Sequence, residues 1–142
     1  ESVHETDWPD LPRAWSDDAL IDDFRVLRTV RKRTMQAIEQ SETLDDSAAA
    51  SVEITWPDHT SLLEQYEDTL SDWMLVSEVK LNPDGSQQSI TVHETDHDKC
   101  ERCWRYRDSV RPRPRFERDL LCDRCYETVE DTLADEPPGT KP

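Results

Sequence analysis

"KCERCWRYRDSV", residues 99–110, decides how the rest of this chain reads. It holds two of the four cysteines, and "LCDRCYETV" at 121–129 holds the other two. Cys100, Cys103, Cys122 and Cys125 form C-x2-C-x18-C-x2-C, inside the spacing of a four-cysteine zinc site. Each C-x2-C pair can fold as a tight knuckle that offers two sulfurs to one ion. Two knuckles complete a tetrahedron with Zn–S about 2.3 Å. Four thiolates leave no position for a reactive water, so the pattern implies one structural Zn2+ and no hydrolytic centre. Other readings of the same cysteines stay open at this point. A pair of disulfides needs an oxidising compartment, and no secretory feature accompanies them. A dithiol redox motif needs one C-x2-C beside a βαβ unit, not two pairs without one. Iron fits the same S4 geometry. His97, just before the first pair, is an alternative ligand that is expected to face solvent.

Working outward, the charge reverses sign around these thiols. The chain has 142 residues and a net charge of -16, yet residues 99–125 carry 9 Lys or Arg against 5 acids. A four-thiolate zinc site has net charge -2, so two or three nearby arginines would relieve it. The surplus marks an anion-binding face. The RNA-binding candidates are Arg102, Arg105, Arg107, Arg111, Arg113 and Arg115, with Trp104 and Tyr106 available to stack on bases. In "RPRPR" (111–115) the prolines stiffen an extended loop from which the arginines project. The rival account is that these arginines only offset thiolates and neighbouring acids. A second basic patch, "RTVRKR" (28–33), lies on a predicted helix, where Arg25, Arg28 and Lys32 share a face. The acidity elsewhere suits a high-salt cytoplasm, where screening limits self-repulsion.

The remaining elements follow from periodicity. "DWPDLPRAW" (7–15) reads as an extended docking segment. Ser16 is a candidate N-cap for a helix over 17–40, with Leu20, Phe24, Leu27, Val30 and Ile38 near a 3.6-residue period. "SVEITW" (51–56) alternates as a half-buried strand. Ser61 and Glu64 suggest a capping box for a helix running through Leu63, Tyr66, Leu70 and Trp73. "LVSEVKL" (75–81), "NPDG" (82–85) and "SITVH" (89–93) predict an antiparallel hairpin. The expected fold class is α+β: a long N-terminal helix, a small α/β module with a hairpin, and a C-terminal zinc-ribbon-like finger. No run approaches 18 apolar residues, so no membrane span is expected. With Gly85 and Gly139 as its only glycines, the chain has no Gly-rich phosphate loop, and no catalytic constellation stands out. The chain begins at Glu1, which reads as a processed product or a piece of something longer.

These motifs resemble the C-terminal region of bacterial isoleucyl-tRNA synthetases. "ESVHETDWPD" resembles the segment leaving that family's anticodon-binding helical domain. "VLRTVRKRTMQAIEQ", "AAASVEI" and "WMLVSEVKL" resemble the helix and strands that follow it, and the two cysteine segments resemble its terminal zinc finger. "SETLDDSAAA" departs from the family's usual basic, glycine-containing connector. Four parts are expected: 1–48, which the resemblance makes the end of the anticodon-binding helical region; 49–96, a small α+β module by its order of elements; 97–130, the finger; and 131–142, a tail whose Pro/Gly/Asp-rich composition predicts disorder. It implies a cytoplasmic, monomeric parent that charges tRNA(Ile) with isoleucine, with ATP and Mg2+ bound only outside this segment. Partners would be tRNA(Ile), through the finger, and the remainder of the synthetase. Two alternatives are a free-standing zinc-ribbon adaptor and a nucleic-acid-binding finger of the DNA-glycosylase type.

Overall fold

A computed structural model describes residues 2–113 and 116–134; Arg115 and the stretch beyond 134 lie outside the described residues. The first long element is α1, Asp18–Glu39. Its N-cap is Asp17 and not Ser16: the Asp17 carboxylate accepts from the Leu20 N–H at 3.1 Å. A carboxylate also gains from the helix dipole, which a hydroxyl does not. Leu27, Val30, Thr34 and Ile38 form the buried stripe of α1. The Thr34 hydroxyl donates to the Val30 carbonyl, so even the polar member of that stripe is satisfied.

Strand β1 (Ala50–Thr55) follows, then α2 (Thr60–Gln65), α3 (Glu67–Met74), β2 (Glu78–Leu81) and β3 (Ser89–Glu94). The sheet order is β2-β1-β3, with β1 parallel to β2 and antiparallel to β3. The hairpin predicted over 75–93 is therefore split, because β1 lies between its two arms. The reason is burial. Ala50, Val52 and Ile54 are all buried, whereas β2 carries Glu78 and Lys80 and β3 carries His93 and Glu94, residue types suited to an edge. Val52 faces Val79 and Val92, and Ile54 faces Leu81 and Ile90. A turn signal such as "NPDG" announces a reversal but does not name the neighbouring strand. Spanning two inter-strand gaps, about 9.6 Å, needs the longer loop 82–88. Gly85 in that loop lies so close to β1 that a Cβ there would clash with the Thr55 methyl.

The helix expected after 60 is two helices. It starts at Thr60, after a 3-10 turn over Pro57–His59, so Ser61 caps nothing. It breaks at Tyr66, whose ring packs edge-on against Phe24 of α1 at 6.0 Å. The break lets both halves bury a residue on one core: Leu63 from α2, Leu70 and Met74 from α3. Each such side chain contributes about 1.5–3 kcal/mol relative to exposure. Residues of α1 share this core with the sheet, so the first and second expected parts pack as one body.

Leu75 ends α3 in the left-handed region at φ 60°, and the Val76 N–H returns to the Ser71 carbonyl at 3.0 Å. That is a Schellman closure, at a position glycine ordinarily fills. Leu75 is 53% exposed, so its side chain gives little packing in exchange. Leu75→Gly is expected to stabilise the chain by about 0.5–1 kcal/mol. A lowered melting temperature would show that this side chain packs more than its exposure indicates.

The C-terminal part holds a second core of Cys100, Val110, Leu121, Cys122 and Cys125. It contains the antiparallel pair β4 (Arg111–Arg113) and β5 (Phe116–Leu121), and then α4 (Asp123–Ala134). The described helix thus enters the stretch expected as a tail. The α+β class holds, and the hairpin belongs to the finger. The segment over 7–15 has no regular secondary structure except a 3-10 turn at Arg13–Trp15, and Trp8 is 96% exposed, docked on nothing among the described residues.

Candidate metal centre and its arginine frame

The two C-x2-C pairs converge although 18 residues separate them. All four sulfurs lie within 4.8 Å of one another, and Cys103 Sγ is 3.9 Å from Cys122 Sγ. A tetrahedral zinc thiolate site has sulfurs about 3.8 Å apart, so the arrangement fits one structural zinc. No cysteine is paired, and the convergence of all four sulfurs on one point suits a shared ion better than two separate disulfides. His97 is held elsewhere: its Nδ1 contacts the Ser77 hydroxyl at 3.3 Å, and it is outside the cluster.

Local backbone geometry makes each knuckle. In the first, the Trp104 N–H donates to the Cys100 carbonyl at 2.8 Å and the Cys100 N–H to the Arg105 carbonyl at 2.9 Å. Trp104 closes this turn at φ 62°, a conformation costly for a bulky side chain. In the second, Cys122 precedes α4 and Cys125 sits in its first turn, where unpaired N–H groups favour thiolates. The Cys122 N–H also donates to Cys100 Sγ at 3.4 Å, and Arg102 Nη1 to Cys125 Sγ at 3.7 Å.

The thiols divide in acidity. Burial opposes ionisation of Cys100, but N–H groups of Cys103, Cys122 and Arg102 outweigh it and hold the thiol down at about 6. Burial pushes Cys122 up to about 12, reinforced by its sulfur neighbours, and Cys103 is raised mainly by burial. Four adjacent thiols cannot all shed protons without a cation among them.

The arginines form a frame around this cluster. Arg105 Nη2 donates to the Ser71 carbonyl at 2.9 Å, the Val76 carbonyl at 3.0 Å and Asp72 Oδ1 at 3.1 Å. Arg107 meets the same Asp72 oxygen at 2.7 Å. These two residues fasten the finger to the end of α3, helped by Ser77, whose hydroxyl donates to the Tyr106 carbonyl at 3.2 Å. Arg111 and Arg113 both grip Asp123, whose carboxyl is held below its usual range chiefly by the Arg113 hydrogen bond. Arg113 is only 6% exposed; it also donates to the Leu121 and Ser109 carbonyls and lies over the Tyr126 ring. Tyr106 lies under Lys99, 5.2 Å from its ammonium. Trp104 alone of the aromatic candidates faces outward, 69% exposed, with its indole N–H on the Glu101 carbonyl. Arg102 is exposed beside it.

Sequence reasoning named the cations and missed their acceptors. Asp123, between Cys122 and Arg124, is local enough to have been noticed. Asp72 is more than thirty residues from Arg105, in an acidic chain where no pattern distinguishes it.

No family model matches the chain. Among curated relatives, an isoleucine–tRNA ligase of Thermotoga petrophila is 29% identical over 133 residues, covering 87% of this chain and 14% of the relative. One from Prochlorococcus marinus (strain SARG) is 30% identical over 154 residues, covering 92% of this chain and 16% of the relative. One from Synechococcus sp. (strain CC9311) is 30% identical over 152 residues with the same coverage. By sequence, the chain is a relative of the isoleucine–tRNA ligases, matched along 87–92% of its own length and 14–16% of theirs.

Proposed function

We propose that this chain is the C-terminal zinc-finger region of an isoleucine–tRNA ligase, and that it helps the parent enzyme hold tRNA(Ile) for charging with isoleucine. One structural Zn2+ is held by Cys100, Cys103, Cys122 and Cys125; its chemistry is to lock the two knuckles together. Isoleucine activation with ATP and Mg2+ belongs to the rest of the parent, a cytoplasmic and monomeric protein in this reading. Among the described residues no helix is long and apolar enough to cross a membrane.

The observation that carries the tRNA part is Trp104. A large aromatic residue in a left-handed backbone conformation, mostly exposed at the tip of a knuckle, costs stability where it stands. Its exposed indole face is suited to stacking on an unpaired base, with Arg102 alongside for a phosphate. Arg105, Arg107, Arg111 and Arg113 are engaged with acids of the chain itself. Among the described residues, direct RNA contact therefore falls chiefly to Arg102 and Trp104, and the other four hold the surface in place.

Trp104→Ala in the parent protein is expected to weaken tRNA(Ile) binding by about tenfold or more, the scale of one lost base stack of roughly 1–3 kcal/mol. Trp104→Gly separates function from stability, because glycine relieves the backbone strain. Its finger should melt no lower while its tRNA affinity falls as far. Undiminished affinity in both variants would remove Trp104 from the interface.

A further inference from the structure

The four cysteines of the metal centre are not equally sheltered. Cys100, Cys122 and Cys125 are buried, whereas Cys103 is exposed near the tip of the first knuckle. Its chain neighbours Arg102 and Trp104 are exposed as well, so solvent reaches this corner of the cluster. Cys100, the other cysteine of that knuckle, has no exposed surface, and its sulfur accepts from the Cys122 N–H at 3.4 Å. Across the cluster, Cys103 Sγ faces Cys122 Sγ of the second knuckle at 3.9 Å. One cysteine open to solvent with a second sulfur behind it is the layout of a reactive thiol and its resolving partner.

We propose that Cys103 is a peroxide-reactive modification site, and that its oxidation joins it to Cys122 and releases the metal. The proposal rests on the zinc reading given above and is independent of RNA contact. A metal-bound cysteine is already a thiolate, the form that reacts. The Cys103 thiolate attacks one oxygen of hydrogen peroxide. The O–O bond breaks, hydroxide leaves, and the sulfur becomes a sulfenic acid, oxidised by two electrons while the peroxide is reduced. The Cys122 thiolate then attacks the Cys103 sulfur; an S–S bond forms, the S–O bond breaks and a second hydroxide leaves. Two protons from solvent turn both hydroxides into water.

Closing 3.9 Å to a bond of about 2.05 Å is a movement of side-chain scale. The site is left with two of its four sulfur donors, too few to retain the ion. Cys103 also lies inside the turn that places Trp104, closed by the Trp104 N–H on the Cys100 carbonyl, so oxidation reaches the knuckle tip. A thiol reductant cleaves the new bond and restores all four ligands.

The test uses the full chain loaded with zinc, hydrogen peroxide as the oxidant and a chromophoric chelator to follow released metal. Peroxide should release the zinc, and peptide mapping without reductant should find Cys103 linked to Cys122. Limiting iodoacetamide, applied before any oxidant, should label Cys103 first. Cys103→His and Cys125→His each leave a three-cysteine, one-histidine set of a kind that holds zinc. Cys103→His should release its metal about tenfold or more slowly, since susceptibility follows thiolate character and exposure. Cys125→His keeps both reacting sulfurs and should release at close to the original rate. Should either variant fail to hold zinc, the map and the labelling order in the unaltered chain decide. Equal release rates in the two variants would overturn the proposal, as would a link within one knuckle or zinc retained under peroxide. A chain that takes up no zinc at all would overturn the zinc reading, and this proposal with it.

Discussion

Chelation of the metal, or Cys122→Ser, is expected to unfold residues 99–126 while leaving the α1–sheet body intact. The finger has its own small core, and three of its five buried members are the ligands Cys100, Cys122 and Cys125. Without the ion those sulfurs have no bonding partner adequate to their burial, and the hairpin and knuckles cannot offset the chain entropy alone. Zinc binding by such sites is worth about 10–16 kcal/mol near neutral pH, most of it appearing as folding free energy. Loss of hydrogen-exchange protection should therefore be confined to the finger, because Val52, Ile54, Leu63 and Leu70 belong to a separate cluster. Elemental analysis should give about one zinc per chain. The pH dependence has a definite sign. The ligated form requires thiolates, so the metal holds the ligand pKa values below those of the free thiols, which lie near 8.5. The stabilisation is present at and above neutrality and is lost as pH falls. Cys122 at about 12 and the raised Cys103 retain protons in the metal-free cluster, so loading at neutral pH should acidify a weakly buffered solution. Metal-free protein with an ordered finger would overturn this account.

Arg105→Ala should be strongly destabilising for a residue outside the hydrophobic core, at about 2–4 kcal/mol. The side chain is 16% exposed and joins three acceptors on the far side of the finger's boundary: the Ser71 and Val76 carbonyls and Asp72. Its removal leaves two backbone carbonyls at the Schellman turn of α3 without that donor, and the finger loses its main tie to the larger body. Arg105→Lys should recover only part of the loss, because all three contacts are made by the terminal Nη2, and the shorter lysine side chain does not bring its ammonium to that point. Arg107→Ala is the internal control: it makes one ion pair to an exposed carboxylate and should cost about 1 kcal/mol or less. Calorimetry should show one transition resolving into two in Arg105→Ala, with zinc content unchanged. A single transition at the original temperature would mean that the finger is held by other contacts.

The same arginine shows what was and was not readable from the chain. Arg105 and Arg107 were recognised as an excess of positive charge and assigned to RNA, whereas both are engaged with Asp72. Net charge along a sequence counts cations without revealing which acids come to meet them. The α1 patch illustrates the converse. The sequence shows a basic helix face there, and only the placement of Trp73 opposite it makes a groove. The sheet carries a similar lesson, since alternation located β1, β2 and β3 within a few residues but not their order.

By itself the sequence determined the four sulfurs as one set, the long first helix, the α+β class and the likeness to isoleucine–tRNA ligases. These follow from spacing, periodicity and local residue type, which act over a few residues or through one motif. Tertiary structure decided the insertion of β1 between β2 and β3, the break at Tyr66 and the pairing of Arg105, Arg107, Arg111 and Arg113. It also decided the outward position of Trp104. Each of these depends on which partner competes best for burial or for charge once distant segments meet, and that competition has no signature in a single stretch of residues.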